Sequence, residues 1–287
     1  MTTYCFRLRT FLLTAMFSIA VLVSGVSASA ASPLKVLLIT GGCCHDYGDQ
    51  KDILRKGLEA RANVIVDQVH TSDKSTKPPL AILGNAKYAD GYDLVIHDEC
   101  GADISDEAAV RAVLAPHVDG TPGINLHCAM HSYRIGNPRD PVELGTPHGL
   151  WFEYLGIQSS GHGPHEPIDV HYNKESNPIT KGFKDWRTHK EELYNNVTVF
   201  DSATSLASGK QKVTRRNGEE RVSEAVVIWT NEYGPQKTKV FSTTLGHYSE
   251  TVGDSRYLDL VTRGLLWATG HLTAEGEPSA GYGPQSK

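Results

Sequence analysis

Hydrophobic positions in the first half of the chain follow the alternation expected of strands and helices in turn. Residues 34–40 (LKVLLIT) form a continuous apolar, β-branched run that ends in two glycines, the pattern of a strand buried on both faces. Apolar residues at helical spacing occupy 49–61, and 63–69 (NVIVDQV) has the pattern of a second strand. The chain is therefore predicted to begin with a strand-helix-strand unit.

The same alternation recurs twice. A strand pattern over 92–97 (YDLVIH) is followed by a helix pattern over 105–117, which opens with Ser105 as a cap and two acidic residues that suit a helix N-terminus. Another short strand pattern, 123–126, runs into His127. Three such units predict an α/β fold with a doubly wound, mostly parallel sheet of the flavodoxin type, in a single domain.

From 137 to 186 this pattern is interrupted by prolines and glycines. We predict a long irregular insertion over the sheet there, and segments of this length in a domain are usually functional or disordered. Three histidines within it, His148, His162 and His165, favour a function.

The pattern of the second half completes the domain. Strands are predicted at 197–200, 225–230 and 239–244, and a closing helix at 257–269. The domain should span 31–271, because the polar, Gly- and Pro-rich residues 272–287 predict a flexible tail.

The N-terminus has the three parts of a secretory signal peptide. Arg7 and Arg9 precede an apolar run over 11–26, and small residues with Ala28 and Ala30 follow. We expect residues 1–30 to be a cleaved signal peptide and the mature protein to be exported, periplasmic or extracellular. The alternative is an uncleaved membrane anchor, although the apolar run is shorter than the ~20 residues of a spanning helix.

The length and net charge of the mature chain limit the classes of binding partner that are expected. Cleavage after Ala30 leaves 257 residues with a net charge of −7 and no basic run longer than Arg215-Arg216. Nucleic acid and, after cleavage, membranes are therefore not expected as partners.

The mature chain has four cysteines, Cys43, Cys44, Cys100 and Cys128. An oxidising compartment permits them to pair. Neighbours in sequence are poor partners for each other, so Cys43 and Cys44 are expected to bridge to Cys100 or Cys128. Reduced, buried thiols are the alternative.

Reactive side chains cluster where predicted strands end. Ligands of parallel sheets bind at the carboxyl ends of the strands, so these clusters predict one site along that edge. A single histidine after a strand more often hydrogen-bonds a loop, and it is the coincidence of several that indicates a site. The clusters are Cys43-Cys44-His45-Asp46, His97-Asp98-Glu99-Cys100, His127-Cys128 with His131, and Gly246-His247-Tyr248.

His127 and His131 are four residues apart, so both imidazoles would lie on one face of a helix and could share a metal ion. Together with a carboxylate from Asp98, Glu99 or Glu192, they would suit zinc or another divalent first-row ion. A capping role for His131 is equally compatible with this spacing.

Cys128 follows a predicted strand and could be a nucleophile. A turn from strand to helix would expose its side chain, and the N-terminus of the helix would lower the pKa of its thiol. An amidotransferase elbow would require G-x-C-x-G, whereas residues 126–130 read LHCAM. Thiol catalysis is therefore disfavoured.

Seven short segments together carry a family resemblance. They are GGxxHD at 41–46, GxxxH at 123–127, WFxxLG at 151–156, NPITKG at 177–182, EELY at 191–194, WTxEYG at 229–234 and TLGH at 244–247. In this order the chain resembles the ThuA-like (trehalose utilisation) family from about residue 35 to 270.

The resemblance implies a fold similar to class I glutamine amidotransferases, without the amidotransferase cysteine and with histidines in the pocket. The family is tied to sugar utilisation through 3-keto intermediates, so the expected partner is a small carbohydrate and no nucleotide cofactor is expected. Carried over to this chain, the candidate catalytic residues are His45, His127, Glu192, Tyr194 and His247.

Two functions remain open at this stage. The first is an enzyme that cleaves or rearranges a keto-sugar glycoside, assisted by histidines or by a divalent metal at His127, His131 and His247. A histidine or Glu192 would move the proton, and the substrate-binding residues would be Trp151, His162, His165 and Tyr248. Glu191 is expected to be a solvated neighbour of Glu192. The second is a sugar-binding or scaffold protein, in which aromatic rings stack on pyranose rings: Trp151, Tyr154, Trp186, Trp229 and Tyr233.

Overall fold

The computed structural model of the protein describes residues 1–4, 31–173, 177–214 and 218–285. Positions 5–30 of the predicted signal peptide lie outside this part of the chain. The strands are β1 Leu34–Gly42, β2 Val64–His70, β3 Leu94–Cys100, β4 Gly123–Leu126, β5 Ile157–Gln158, β6 His162–Tyr172, β7 Trp186–Tyr194, β8 Thr198–Val199, β9 Ala203–Thr214, β10 Glu220–Tyr233 and β11 Thr238–Thr243.

Five α-helices occur in the described residues: α1 Tyr47–Glu59, α2 Glu107–Val118, α3 Leu150–Leu155, α4 Ser249–Val252 and α5 Ser255–Ala268. Short 3-10 helices occupy His127–His131 and Pro147–Gly149. None of the described helices is long and apolar enough to cross a membrane.

The main sheet has the strand order β2-β1-β3-β4-β11-β10-β9-β6-β7. The first five of these strands are parallel to their neighbours, and β10, β9, β6 and β7 continue the sheet in antiparallel pairs. The predicted α/β fold with a mostly parallel, doubly wound sheet is therefore confirmed for the central strands. Their carboxyl ends lie side by side at one edge.

The alternation within β1 divides the core into two layers. Val36 and Leu38 pack in the layer that contains α1 and α5, whereas Leu37 and Ile39 pack in the layer of α2 and α3. All four side chains are buried. The strand has a continuous apolar sequence because helices cover both of its faces.

The predicted irregular insertion is wrong for residues 162–172, which form β6. This strand pairs with both β7 and β9 and extends the sheet. Its pairing with β7 is irregular beside Pro164 and Pro167, where the register shifts. Bulges accommodate prolines in a sheet, so a proline-rich sequence that argues against a strand is compatible with this one.

The segment after His271, predicted to be a flexible tail, is attached to the domain. Leu272 forms a β-bridge with Pro278, and the ring of Tyr282 stacks on that of His271 at 3.6 Å. The Tyr282 carbonyl also accepts a hydrogen bond from the Asn63 N–H. The polar composition of this segment is therefore a poor guide to its structure. Its backbone groups form hydrogen bonds with the domain, and the Tyr282 ring stacks on His271.

Gly42 has a backbone conformation that ties β1 to β3. Its φ is +101°, and a Cβ atom there would lie 2.2 Å from the Cys100 carbonyl oxygen. We predict that Gly42→Ala lowers the free energy of unfolding by on the order of 3 kcal/mol, since it adds a backbone clash to left-handed strain. Urea denaturation measures this loss.

Gly91→Ala is the matched control, because Gly91 also has a positive φ, +85°, but an added Cβ would meet open space. It should cost about 1 kcal/mol, the strain alone. Equal losses in the two variants would contradict the proposed close approach.

Candidate active site

Three histidines from different strand ends meet at the carboxyl edge of the sheet. His45 follows β1, His127 follows β4 directly, and His247 follows β11. One ring nitrogen from each lies within 4.8 Å of those of the other two. The ring of His45 stands edge-on to His127 at 4.6 Å and to His247 at 4.7 Å. The structure therefore brings together three residues that the strand-end argument had placed at one edge.

His127 is held in a strained conformation with a single ring orientation. Its φ of +43° lies in the left-handed region, which is uncommon for a residue with a side chain. Nδ1 lies 2.6 Å from the Thr244 carbonyl oxygen, which can only accept, so Nδ1 carries a hydrogen. Nε2 consequently faces the site, where it can take up a second proton or a metal ion. Strain of this kind concentrates at functional sites.

Glu192 lies at the centre of the histidines. One carboxylate oxygen is 3.4 Å from His127 Nε2 and 3.4 Å from His247 Nδ1, and the other is 2.7 Å from His165 Nε2. Burial opposes ionisation, but hydrogen bonds with His127 and His247 outweigh it and lower the pKa of Glu192. Burial lowers the pKa of His127, but hydrogen bonding and charge from Glu192 raise it, and the net shift of the His127 pKa is upward. The carboxylate is thus ionised and surrounded by groups that can hold a cation.

His45 differs from its neighbours. Burial, followed by the nearby His127 and His247, lowers the pKa of His45 to about 2. Its imidazole is therefore neutral near pH 7, the form that binds metals. Its Nδ1 is buried and has no hydrogen-bond partner among the described residues.

Glu191 positions the loop that carries His247. Its side chain is fully buried, and its carboxylate accepts hydrogen bonds from the backbone N–H groups of Gly246 (3.2 Å) and His247 (3.1 Å). Gly246 has a φ of +118°, and an added Cβ would lie 2.8 Å from the Tyr257 hydroxyl. The expectation that Glu191 is solvated is therefore wrong. Sequence reasoning missed it because the end of β7 is covered on both faces, a position that the pattern of the chain does not reveal.

His165 and Tyr248 connect Glu192 to the solvent-exposed surface by hydrogen bonds. His165 Nδ1 lies 2.8 Å from the Tyr248 hydroxyl, and the His165 side chain is about half exposed, at 45%. His162 Nδ1 is 3.4 Å from Glu192, on the same side. Of the predicted substrate-binding residues, His162 and His165 thus lie against the carboxylate, and Tyr248 reaches it through His165.

Tyr194 lies deeper. Its hydroxyl is 3.4 Å from His127 Nε2, and its side chain is buried. Burial, followed by nearby Cys128 and Glu192, raises the pKa of Tyr194 well above its ordinary value, so the phenol is neutral and can donate a hydrogen bond.

A cleft of about 840 Å³ opens onto this group. That volume is in the range of small-molecule sites. His45, His247 and Tyr248 form one wall. The other lining residues are Cys44, Asp46, Asp49, Gln50, Lys74, Ser249 and Glu250.

His131 does not join His127. Its ring stacks on Tyr194 at 4.1 Å, and its Nε2 lies 2.9 Å from the Ser159 hydroxyl. Residues 127–131 form a 3-10 helix rather than an α-helix. With three residues per turn, positions i and i+4 point in different directions, so the spacing that suggested a shared metal ion does not place the two rings together.

Trp151 does not line the cleft either. It is only 1% exposed and its indole N–H donates to the Ala129 carbonyl in the core. The other four aromatic residues considered for sugar stacking, Tyr154, Trp186, Trp229 and Tyr233, are buried as well. None of these five rings lines the cleft beside the histidines, and Tyr233 borders a separate cavity of about 240 Å³ next to α2. This weakens the main argument for a non-catalytic sugar-binding protein that uses this cleft.

The polar residues of β3 belong to the interior. His97 Nδ1 is 2.8 Å from Glu99, and His97 Nε2 is 3.1 Å from His117 Nε2. The Tyr133 hydroxyl donates to Glu99 at 2.6 Å. These side chains pair with one another beneath α2 and α3, so the second predicted strand-end cluster contributes neither His97 nor Glu99 to the cleft.

Comparison with known proteins agrees with this architecture. A family model described as ThuA, trehalose utilisation, matches residues 35–268. The chain belongs to the ThuA family. A search of curated proteins found no significant match.

Solved structures show the same fold as this ThuA-family chain. A ThuA-like protein from Parabacteroides merdae has a TM-score of 0.61 and 19% identity, covering 89% of this chain and 98% of its own. One from Bacteroides uniformis has a TM-score of 0.56 and 17% identity, covering 88% and 99%. A glutamine amidotransferase from Thermotoga maritima gives 0.44 at 12% identity, covering 83% and 99%, which is too distant to support an argument.

The cysteines pair differently from the prediction. Cys43 and Cys44 form a disulfide with each other, and Cys100 and Cys128 are free and buried. Cys44 has a left-handed φ of +81°, and this turn lets neighbouring side chains meet. The expected bridges from Cys43 or Cys44 to Cys100 or Cys128 are therefore wrong. A hydrogen bond with Cys100, and then burial, raise the pKa of Cys128 well above its usual range, which disfavours it as a nucleophile.

Glu191 provides a test of how the site is held. We predict that Glu191→Gln lowers the free energy of unfolding by about 2 kcal/mol, because hydrogen bonds from two buried N–H groups to a charged acceptor are weakened. Urea denaturation at pH 7 measures the change. Glu250→Gln, an exposed residue two positions beyond Tyr248, is the control and should leave the midpoint unchanged. Indistinguishable midpoints would contradict the anchoring role.

Proposed function

We propose that this protein is an exported enzyme that cleaves a 3-keto disaccharide or a related glycoside, by metal-assisted hydrolysis or elimination. The observation that carries the proposal is the Glu192 carboxylate, which lies between His127 and His247 on one side and His165 on the other. Of these histidines, His247 lines the open cleft. Membership of a family described by trehalose utilisation supports a sugar as the substrate.

The donor set at the strand ends fits a divalent metal. His45, His127 and His247 offer three imidazole nitrogens, and three protein ligands with an open fourth position are typical of catalytic zinc. His45 Nδ1 is buried and lacks a hydrogen-bond partner in the part of the chain that the structure describes, so a metal ion would give this nitrogen a partner. The Thr244 carbonyl fixes the ring of His127 from behind, as outer-shell groups do at metal sites. A bound first-row ion would act as a Lewis acid on a carbonyl or a water.

Glu192 would move the proton. An ionised carboxylate accepts the hydrogen bond from His165 Nε2, which leaves His165 Nδ1 to accept from the Tyr248 hydroxyl. These hydrogen bonds connect the buried Glu192 carboxylate, through His165, with Tyr248 in the cleft. Glu192 would take a proton from water, for hydrolysis, or from a carbon next to the keto group, where the carbonyl acidifies the C–H bond, for elimination. Its lowered pKa makes it a weak base while His127 and His247 hydrogen-bond it, so this role requires substrate binding to loosen those contacts.

Export is part of the proposal. The charged, apolar and small-residue parts of segment 1–30 support a signal peptide. The disulfide between Cys43 and Cys44 supports an oxidising location, periplasmic or extracellular.

Metal content tests the first half of the mechanism. The purified mature protein, reconstituted with Zn²⁺ and dialysed, should hold close to one metal ion per chain by inductively coupled plasma mass spectrometry. His127→Ala should reduce this at least tenfold, because it removes a central ligand. His131→Gln should retain it, since His131 contacts Ser159 and Tyr194 instead. Equal metal in all three proteins, or none in the wild type, would refute the metal site.

Turnover of a 3-keto disaccharide tests the second half. We predict that Glu192→Gln lowers kcat by roughly 10²-fold or more with little change in KM, because an amide cannot accept the proton. Glu166→Gln, on the exposed part of β6, should behave as the wild type. Mass spectrometry of products formed in H₂¹⁸O separates hydrolysis from elimination. No turnover by the metal-loaded wild type would contradict an enzyme of this class.

A further inference from the structure

Four sulfur atoms form a row that runs from the cleft into the protein. Cys44 is exposed and lines the cleft, and it is bonded to Cys43. Cys43 Sγ lies 3.5 Å from Cys100 Sγ. Cys100 and Cys128 belong with Tyr47 to a small buried cluster, against which Cys43 packs. A surface disulfide and two interior thiols are therefore in continuous contact.

The contact between Cys100 and Cys43 has a chemical consequence. A thiolate reacts with a disulfide by attacking one of its sulfurs and expelling the other. Cys100 touches Cys43 rather than Cys44, so the sulfur that would be expelled is the one at the surface. The structure thus sets both the attacked atom and the leaving group.

We propose that the Cys43–Cys44 disulfide exchanges with Cys100 and thereby delivers a free thiol of Cys44 into the cleft. The Cys100 sulfur attacks Cys43 Sγ, a Cys43–Cys100 bond forms, and the Cys43–Cys44 bond breaks. Cys44 leaves as a thiolate and takes up the equivalent of the proton that Cys100 loses. One disulfide replaces another, so the step requires neither an oxidant nor a reductant.

The surroundings of Cys100 favour its role as the attacking group. A hydrogen bond with Cys128 lowers the pKa of Cys100, burial opposes this, and the charges of His127 and Arg134 add to the lowering. A lower thiol pKa increases the fraction of thiolate, the reactive form. Cys128 packs with Cys100 in the buried cluster, and Cys100 supplies the thiol sulfur that lies 3.5 Å from Cys43 Sγ.

The result of exchange is a modification site next to the candidate metal ligands. Cys44 shares the cleft with His45 and His247. A thiolate there can react with a small electrophile or bind a soft, thiophilic cation. The cleft therefore has two forms. In one, Cys44 is bonded to Cys43, and in the other, Cys44 is a free nucleophilic thiolate.

Alkylation under native conditions tests the exchange. The oxidised protein is treated with iodoacetamide, quenched in acid, blocked with N-ethylmaleimide under denaturing conditions and digested with trypsin without reduction. The cysteines fall on three tryptic peptides, 36–51, 88–111 and 112–134. We predict a product in which Cys44 is carbamidomethylated and peptide 36–51 is cross-linked through Cys43 to peptide 88–111.

Variants identify the attacking sulfur. In Cys100→Ser the labelling of Cys44 should slow at least tenfold, with the internal disulfide of peptide 36–51 retained. Cys128→Ser should still give the cross-linked product. Circular dichroism and thermal melting check the fold of each variant, and Cys100→Ala replaces Cys100→Ser if the latter is unfolded. The exchange is refuted if wild-type Cys44 stays unlabelled, if both Cys43 and Cys44 are alkylated without a cross-link, or if removal of Cys100 leaves the labelling rate unchanged.

Discussion

Two consecutive buried carboxylates at the end of β7 determine the arrangement of the site. Neighbouring residues of a strand point to opposite faces, so Glu191 and Glu192 serve different partners. Glu191 holds the backbone before and at His247, and Glu192 reaches the imidazole rings. A buried anion is unfavourable unless charge or hydrogen bonds compensate it. Each carboxylate therefore requires the groups around it, and His247, which contacts both, lines the cleft.

Much of the central fold follows from the sequence, because strands buried on both faces leave long apolar runs. β1, β3 and β4 have such runs, which predict parallel strands. In the parallel part of the sheet the residues that follow β1, β4 and β11 lie at one edge, and His45, His127 and His247 converge there. The antiparallel strands β6, β7 and β9 were not predicted, since they are partly exposed and β6 contains prolines at irregular positions. Glu192 was selected through a family phrase, and no periodicity of the chain indicated its contacts.

The remaining differences arise from local geometry that residue spacing does not encode. His131 has the spacing of a helical pair with His127, but a 3-10 turn separates the two rings. Cys44 takes a left-handed conformation that permits a bond to its neighbour. His97 likewise follows the pattern of a strand-end histidine, yet it lies within the core, and both of its ring nitrogens have partners there. His45, by contrast, keeps a buried nitrogen that has no hydrogen-bond partner among the described residues.

The strand order has a consequence for how such a site can change. The three imidazoles come from the parallel centre of the sheet, whereas Glu192 and His165 come from the β6–β7 hairpin at its antiparallel end. The hairpin joins the rest of the sheet through β9, away from the strands that carry the imidazoles. Substitutions of Glu192 or His165 can therefore alter the acid-base partner without changing the strands that carry the imidazoles. Glu191 belongs to the same hairpin and holds the backbone at His247, so the hairpin can change its chemistry only while that carboxylate is kept.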